Sequence, residues 1–477
     1  MNQPAKLLAM GLFLAAGMMS ACGGSGSGTI AGSGQDATMV VMGTDSPTLA
    51  NVVSFQVPIS GITLTGSGNA SVPIVDTPAS IDFSRLVGLR ALIDIQPVAP
   101  GSYTSATITF GASPTLSVLD TSGTAPTVTS INATFSTMST TVNFNQPLNV
   151  GNSQVLGLLL DFRIGKSILV DSSGNIVTTG TPPTVTVTPD IQLTFLSPEQ
   201  AKLEIDGLRG GVEKINSDGS FVLQGPGGRE FTVSTGSSTE WGPSGQSFST
   251  LSTSDIVDVE EAVVDPATRM VKAGEIDVFP DKFVLTGLVT YVSQAPTSTA
   301  TTCAPTVDLL VRSALPGATG SVYTQDEIGQ VTLNGSEDYW VGHKDWLGSY
   351  VSIPFGSCTL VPGQALAIGG TLDSTTGELT PKRVVLTVQG FSGTADSGVG
   401  SDNTFAFSPQ GLAGVLLPNP VTVQMIELPL FSTELEDLSS TGSIAQGTKL
   451  HVAGLVLYNG TTNTTNILAG RVVEPEP

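Results

Sequence analysis

The chain has 477 residues, of which 40% are hydrophobic and only 12% are charged, so it is too apolar to be disordered and too long for one domain. The 18 Lys and Arg face 40 Asp and Glu, and the resulting net charge of −22 argues against broad nucleic-acid binding. The 55 Gly and 30 Pro argue against long helices, and two His with three Cys leave little material for a metal site or a Cys/His nucleophile.

The N-terminus has the layout of an export signal. One basic residue precedes an apolar run over residues 7–19 that is too short for a comfortable membrane span, which predicts a signal peptide over residues 1–21. The segment Met19–Cys22 (Met-Ser-Ala-Cys) resembles the lipobox of bacterial lipoproteins, and this resemblance implies cleavage before Cys22 and lipid attachment to it. An ordinary signal peptide with an unmodified cysteine is the alternative. Residues 22–36 are rich in Gly and Ser, which predicts a flexible tether behind the lipidated cysteine.

Short β-type runs follow from residue 37 onward. In Ala106–Phe110 and Thr184–Thr188, Thr alternates with Val, Ile or Phe, as in a strand with one buried and one wet face. Thr keeps the β-branched shape on the wet face without adding charge, which explains how so weakly charged a chain stays soluble. Residues 37–197 are therefore predicted to form a β-sandwich-like domain. The leucines within Ile81–Ile95 make this segment the best helix candidate of the domain.

The same domain carries motifs that resemble a known family. A Thr-Asp-Ser-Pro turn at Thr44–Pro47 leads into the apolar runs Val52–Val57 and Ile59–Leu64, and Pro-Gly-Ser-Tyr-Thr follows at Pro100–Thr104. These motifs resemble bacterial lipoproteins with domain of unknown function 4382, in which Ala is usual at the position of Ser46. The resemblance covers residues 37 to about 197. It implies an extracytoplasmic β domain and no catalytic residue, because the family has no established activity.

The rest of the chain repeats one plan three times. Each unit opens with a Gly-containing strand, continues with β-type runs and closes with a pair of β-type runs, which begin at Asp255 and Ala273, at Gly363 and Pro381, and at Gly447 and Ala469. This layout resembles domain of unknown function 5666, another bacterial extracytoplasmic module, which we interpret as a small five-strand barrel of the OB type. The sequence thus predicts an all-β protein whose sandwich is followed by three modules: module 1 at 198–281, module 2 at 282–389 and module 3 at 390–477.

Module 2 is about thirty residues longer than module 1 between equivalent positions. The excess falls into two insertions, Gln294–Pro305 and His343–Pro362, and each insertion contains one cysteine. We predict a disulfide between Cys303 and Cys358, since export permits oxidation and closure of such a loop is worth about 4 kcal/mol. Two free thiols are the alternative.

The strongest candidate for a ligand-binding site is the aromatic cluster Tyr339, Trp340, His343 and Trp346 in module 2. Exposed Trp and Tyr beside polar groups suit stacking on a sugar ring or anchoring a protein partner. Trp340 matches Trp241 of module 1, and recurrence within a repeat favours a role in the module core for this residue. Trp346 lies in an insertion, and its sequence leaves both roles open.

No metal, cofactor or catalytic residue is predicted. His343 and His451, the two histidines, fall in different modules, so a shared metal site is not expected. Two acidic groups could coordinate calcium, but neither contains an Asp-x-Asp-x-Asp-Gly loop, and solvated charged faces are the plainer interpretation: Asp255, Asp258, Glu260 and Glu261; Glu434, Glu436 and Asp437. No Gly-x-Ser-x-Gly elbow with a matched His and no phosphate-binding loop was found.

These features predict a lipid-anchored lipoprotein of the bacterial envelope or surface, with a non-catalytic binding or structural role. Gly23 and Gly24 after Cys22 lack the Asp that retains some lipoproteins at the inner membrane, which favours the outer membrane or surface of a Gram-negative cell. The expected partners are the membrane, through the lipid, and a glycan or envelope protein, but not nucleic acid. A glycan-binding adhesin is the first alternative, and an unrecognised extracytoplasmic hydrolase is the alternative from another class.

Overall fold

The computed structural model describes residues 36–45, 49, 52–66, 71–120, 127–172, 175–196, 205–225, 228–265, 267–279, 282–300, 302–317, 320–343, 346, 355–428 and 432–475. The chain divides into Met1–Gly34 and one compact unit, Gln35–Pro477. The predicted signal peptide, Cys22 and the tether up to residue 35 lie outside the described residues, as do Ser46 and Pro47 of the Thr-Asp-Ser-Pro motif.

Two sheets form the N-terminal domain. The smaller has the order β12-β10-β1-β5, and the larger has the order β11-β8-β7-β2-β6-β9 with β3 and β4 also on β2. The strands are β1 (Ala37–Thr44), β2 (Val52–Gly66), β3 (Ser71–Val75), β4 (Ala79–Asp82), β5 (Ala91–Val98), β6 (Gly101–Phe110), β7 (Thr115–Asp120), β8 (Thr127–Phe135), β9 (Ser139–Val150), β10 (Val155–Phe162), β11 (Thr184–Val187) and β12 (Ile191–Leu196). A short helix, α1 (Ile164–Ser167), follows β10.

The sandwich packs on both faces of its smaller sheet. Met39 and Val41 of β1 point into the core between the two sheets, where Phe162 lies among four other phenylalanine rings. Val40 and Met42 point the opposite way and pack with the core of module 1. Because successive side chains of a strand face opposite sides, burial on both faces requires the uninterrupted apolar run seen in this strand.

The helix predicted over Ile81–Ile95 is wrong. The segment consists of the end of β4, a single 3-10 turn at Phe83–Arg85, a connection, and β5. Its leucines do not share one face, because Leu86 packs in the sandwich core and Leu92 packs against module 1. The spacing that suggested a helical stripe therefore comes from contacts with several different neighbours.

Three further sheets follow, one in each predicted module segment. Module 1 contains β13 (Leu208–Ile215), β14 (Ser220–Gln224), β15 (Glu230–Ser234), β16 (Glu240–Gly242), β17 (Ile256–Glu260), β18 (Val263–Asp265), β19 (Met270–Lys272) and β20 (Glu275–Phe279). Module 2 contains β21 (Phe283–Val292), β22 (Thr306–Leu315), β23 (Ile328–Thr332), β24 (Asp338–Val341), β25 (Ala365–Leu372) and β26 (Leu379–Thr387). Module 3 contains β27 (Gln389–Ala395), β28 (Thr404–Pro409), α2 (Gly411–Leu416), β29 (Val421–Met425), β30 (Glu434–Glu436), β31 (Lys449–Asn459) and β32 (Thr464–Val473).

The all-β prediction is confirmed, and module 3 closes into a five-strand barrel. Its strands pair in the cyclic order β27-β28-β29-β32-β31, and the closing pair β29–β32 is parallel. This is the order of an OB barrel, in which a three-strand meander is followed by two strands that close the sheet. Modules 1 and 2 repeat this plan, in which the fourth barrel strand pairs with the first and the fifth pairs with the fourth. In module 1 these pairs are β17 with β13 and β20 with β17, and in module 2 they are β25 with β21 and β26 with β25.

Each module also adds a short strand that runs parallel to its last barrel strand. These strands are β16, β24 and β30. Trp241, Tyr339 and Leu435 pack against the cores of their own modules, whereas Trp340 faces the cluster shared with module 1, so Tyr339 and not Trp340 takes the position of Trp241. A 3-10 turn precedes the fourth barrel strand in every module: Phe248–Thr250, Ser357–Thr359 and Thr441–Ser443. The third module therefore keeps the plan although Leu435 replaces the tryptophan.

The two insertions of module 2 meet each other and module 3. Cys303 and Cys358 lie at disulfide distance, with their Cα atoms 5.1 Å apart. The amide of Thr297 donates to the Cys358 carbonyl oxygen at 2.8 Å, so the two insertions also share a backbone hydrogen bond. The Ser298 hydroxyl donates to the Gly460 carbonyl oxygen of module 3 at 3.2 Å. Within the ranges described, no helix is long and apolar enough to cross a membrane.

Replacing both cysteines, as Cys303→Ser with Cys358→Ser, is expected to lower the free energy of unfolding by about 3 to 4 kcal/mol, because the open chain gains the entropy of a 55-residue loop. Denaturant titration of the oxidised wild type and the double variant measures the difference. A reductant should weaken the wild type and leave the double variant unchanged. Two free thiols from this pair in unreduced, denatured protein would contradict the disulfide.

Candidate functional site

A cavity of about 570 Å³ lies where the sandwich and all three modules meet. The sandwich lines it with residues from the connection between β4 and β5, and module 1 with residues around the start of β13. Module 2 contributes part of β21, and module 3 contributes the residues around α2. No single module could form this cavity, so its shape depends on how the four parts pack.

Most charged groups of the cavity are paired. Arg209 of β13 forms an ion pair with Asp258 of β17, and Arg312 of β22 lies 3.6 Å from the Asp82 carboxylate. Asp206 accepts from the Arg471 guanidinium of β32 at 3.1 Å. These contacts cancel charge inside the protein, where an uncompensated ion is costly.

Arg85 differs from these arginines. It belongs to the 3-10 turn after β4, lines the cavity and, among the described residues, makes no ion pair or hydrogen bond through its guanidinium. Much of its side chain is free of protein contact, and yet burial, together with the charge of Arg312, lowers its pKa to about 10. The side chain of Arg85 is exposed because it faces the cavity, and its pKa is lowered because protein surrounds the cavity.

Four carboxyl groups lie together on the adjoining wall, in module 1. Asp258 and Glu260 of β17 stand opposite Asp277 and Glu275 of β20, and all four residues are buried. Burial and the neighbouring Asp258 raise the pKa of Glu260 well above its usual range, and burial with Glu260 raises the pKa of Asp277 to about 8. Like charges directly opposite each other in a sheet are unfavourable, and protonation of two members relieves the repulsion.

Three side chains of the aromatic cluster predicted in module 2 lie at junctions between modules, and the fourth, Tyr339, packs within module 2. The amide of His343 donates to the Glu260 carboxylate of module 1 at 2.8 Å, and its ring stacks on Trp346 with 4.4 Å between centroids. Trp346 is 4% exposed and packs against module 3 at Gly470. Trp340 packs against a cluster shared by modules 1 and 2, whereas Tyr339 donates to Glu337 at 3.1 Å. Of the four, His343 lines the cavity.

This packing changes what the cluster can do chemically. A buried Trp346 offers no free ring face for a sugar to stack on, since its surface is already covered by His343 and module 3. The partly buried Trp340 holds a junction, and its indole nitrogen lacks a hydrogen-bond acceptor among the described residues. The structure therefore uses these rings to join modules.

The acidic groups considered for calcium are engaged with other partners. Asp258 pairs with Arg209, Glu434 lies 2.9 Å from Arg471, and Glu436 pairs with Arg90. Asp255 accepts from the amide of Ser252 at 2.8 Å. In the described part of the chain, no group of three or more His, Cys, Asp or Glu side chains is arranged to hold a metal ion.

No sequence pattern indicated the arginines of the cavity. Arg85, Arg209 and Arg312 belong to no catalytic or ligand-binding motif. Each lies more than a hundred residues from the next along the chain. A basic residue in a short turn has the appearance of an ordinary surface charge. Only the packing of the sandwich and the three modules brings these residues to one cavity.

The raised pKa of Asp277 predicts that the protein loses stability as pH rises. The folded state keeps a proton on Asp277 up to about pH 8, whereas the unfolded chain has released it above about pH 4, so stability is highest on the acid side and falls through this interval. His451 acts in the opposite sense between about pH 4 and 6.5, because burial lowers its pKa to about 4. The interval from pH 6.5 to 8.5 therefore isolates the carboxyl groups.

Over that interval we expect the thermal midpoint of unfolding to fall in the wild type and to fall less in Asp277→Asn, which keeps the shape of a neutral acid. Glu213→Gln, which removes an exposed carboxylate from β13, serves as the matched control and should retain the wild-type slope. Parallel pH profiles for the wild type and Asp277→Asn would contradict the prediction.

Comparisons with known proteins add little to this picture. No protein-family model matches the chain, and no curated protein matches it. One solved chain with some likeness is "drosophila Unr CSD456", which has 10% sequence identity and a TM-score of 0.14, with 57% of this chain and 97% of that chain covered. Similarity at this level supports no argument about fold or function. The resemblance to domains of unknown function 4382 and 5666 stays a prediction.

Proposed function

We propose that this protein is a lipid-anchored, non-catalytic binding protein of the bacterial envelope. The lipobox-like segment Met19–Cys22 and the Gly/Ser tether behind it support the anchoring. The compact unit Gln35–Pro477 would then be carried on the tether, outside the bilayer. Gly23 and Gly24 favour the outer membrane or surface of a Gram-negative cell.

The cavity between the four parts is the observation that carries the binding role. Ligand sites are typically concave, mostly apolar and located where domains meet, with a few converging polar groups. A volume of about 570 Å³ lies within the range that holds small organic ligands. Ion pairs between the parts support a preformed site, since they hold the walls in one arrangement before a ligand arrives.

Two features argue against nucleic acid as the partner. The net charge of −22 would repel phosphates, although OB barrels in general often bind nucleic acids. The arginines of the cavity lie inside the protein and not along an open groove. Fold alone does not assign a ligand, and the charge distribution favours a small molecule over a polyanion.

The anchoring is tested by expressing the full chain and Cys22→Ala in a Gram-negative host with labelled palmitate. We expect the wild type to incorporate label, lose residues 1–21 and sediment with the outer membrane, because a diacylated N-terminus is retained by the bilayer. Cys22→Ala should take up no label, while Ser25→Ala in the tether should behave as the wild type. An unlabelled wild type would contradict anchoring, and label at the inner membrane would contradict the proposed location.

A second candidate, an extracytoplasmic hydrolase, is favoured by one observation. Glu260, whose pKa is raised, and Asp258, which is paired with Arg209, both line the cavity from one strand. Many hydrolases use two neighbouring carboxyl groups, a protonated one as the acid and an ionised one as the base or nucleophile. The binding role is preferred because both groups already have structural partners in the fold.

Chromogenic glycosides, esters and phosphates distinguish the two candidates. For a binding protein we expect no turnover by the wild type. Turnover that disappears in Glu260→Gln would instead establish the hydrolase, since Gln keeps the shape and hydrogen bonding of a neutral Glu but cannot donate the proton.

A further inference from the structure

We propose that the central cavity binds a small, singly charged organic carboxylate whose apolar body packs against leucines and whose carboxylate pairs with Arg85. This inference deepens the binding role proposed above and rests on it. It identifies the chemical class of the ligand and the residue that recognises its charge.

The first argument is the state of Arg85. Among the described residues its guanidinium has no ion-pair partner and no hydrogen-bond acceptor, although the guanidinium of an arginine presents five donors. Arg312 and Arg209 lie near enough to repel it, and Asp82 and Asp326 attract it without reaching ion-pair distance. An anion in the cavity would satisfy these donors, and hydrogen bonds between two charged groups are stronger than those between neutral groups.

The second argument concerns the amount of negative charge that fits. Arg209 is neutralised by Asp258, Arg312 by Asp82, and Asp206 by Arg471, so these pairs contribute no net charge to the cavity. Arg229 lies 4.0 Å from Asp94, and burial raises the pKa of Glu260 well above its usual range, so Arg85 is the cavity cation without an ion-pair partner among the described residues. Asp82 and Asp326 already attract Arg85 from beyond ion-pair distance, so a ligand with one negative charge suffices to pair with it. A dianion such as a phosphate monoester would place its second charge near the existing carboxylates, where it would be repelled.

The third argument is the character of the remaining wall. Leucines from all four parts line the cavity, among them Leu86 and Leu89 of the sandwich, Leu208 of module 1, Leu288 and Leu366 of module 2, and Leu412 of module 3. Burial of an apolar body against such side chains is favourable by about 25 cal/mol for every Å² removed from water. An amphiphilic carboxylate satisfies both the leucines and the arginine, whereas a small inorganic anion would leave the apolar wall uncovered.

Octanoate is the probe, with octanamide as its neutral counterpart and octyl phosphate as its dianionic counterpart. Isothermal titration and thermal unfolding are measured on the full chain in a non-ionic detergent. We expect octanoate to bind and to raise the midpoint of unfolding, and octanamide to bind at least about tenfold more weakly, because the charged hydrogen bonds to Arg85 are lost. Equal affinity for octanoate and octanamide would overturn the role of charge. Tighter binding of octyl phosphate would overturn the carboxylate class.

Arg85→Gln gives the test of the residue. Octanoate affinity should fall at least about tenfold in this variant, while its midpoint of unfolding without ligand should not fall, because no ion pair or hydrogen bond of the guanidinium to the described residues is removed. A purely structural arginine would show the opposite effect on stability. Lys214→Gln, which removes an exposed charge from β13, is the matched control and should bind octanoate as the wild type does.

Octanoate binding by Arg85→Gln within twofold of the wild type would overturn the assignment, as would the absence of binding by the wild type. These results are separate from those on Cys22. A chain that binds octanoate but takes up no palmitate contradicts the anchoring alone, and a lipidated chain that binds no octanoate contradicts this inference alone.

Discussion

The arrangement of the four parts depends on arginines that reach from one part to a carboxylate or carbonyl of another. Arg471 of module 3 reaches Asp206 of module 1 and the carbonyl oxygen of Gly88 in the sandwich. Arg90 of the sandwich pairs with Glu436 of module 3, and Arg312 of module 2 donates to the carbonyl oxygen of Val53 in the sandwich. Breaking a buried pair leaves an uncompensated charge and costs about 3 to 5 kcal/mol, so these contacts fix a single packing. The central cavity is the space that this packing leaves.

The four buried carboxyl groups of module 1 are also subject to the cost of burying a charge, and not all of them meet it with an ion pair. Asp258 has an arginine partner, whereas burial raises the pKa of Glu260 and of Asp277, which favours their protonated forms. Glu260 also accepts the amide hydrogen bond of His343, and it thereby joins module 1 to the insertion of module 2. These buried carboxyl groups thus lower the cost of their negative charge either through an arginine partner or through a raised pKa. Arg85 has no ion-pair or hydrogen-bond partner among the described residues, which is why it stands out among the charged groups of the cavity.

Local patterns in the sequence predicted the elements well and their mutual packing poorly. Alternation of Thr with Val or Ile depends on one strand and its two faces, and the repeated order of such strands predicted an all-β chain. The cysteine pair could be predicted because comparison between modules isolated two insertions with one cysteine each. Leu86 and Leu92 misled the helix prediction because they contact different neighbours, and nothing local distinguishes Arg85 from an arginine in water. Such contacts are defined only once the sheets have assembled.

The junctions also depend on side chains that are absent. A Cβ atom at position 390 would overlap the carbonyl oxygen of Val87, and one at position 470 would overlap the ring of Trp346. Gly390 therefore allows module 3 to approach the sandwich, and Gly470 allows module 3 to receive the insertion of module 2. A search for apolar stripes passes over such positions, because the contact is made by the partner and the glycine only makes room. The high glycine content that first suggested turns thus has a second use, since glycines at the junctions let the sandwich and the modules approach closely enough to share one cavity.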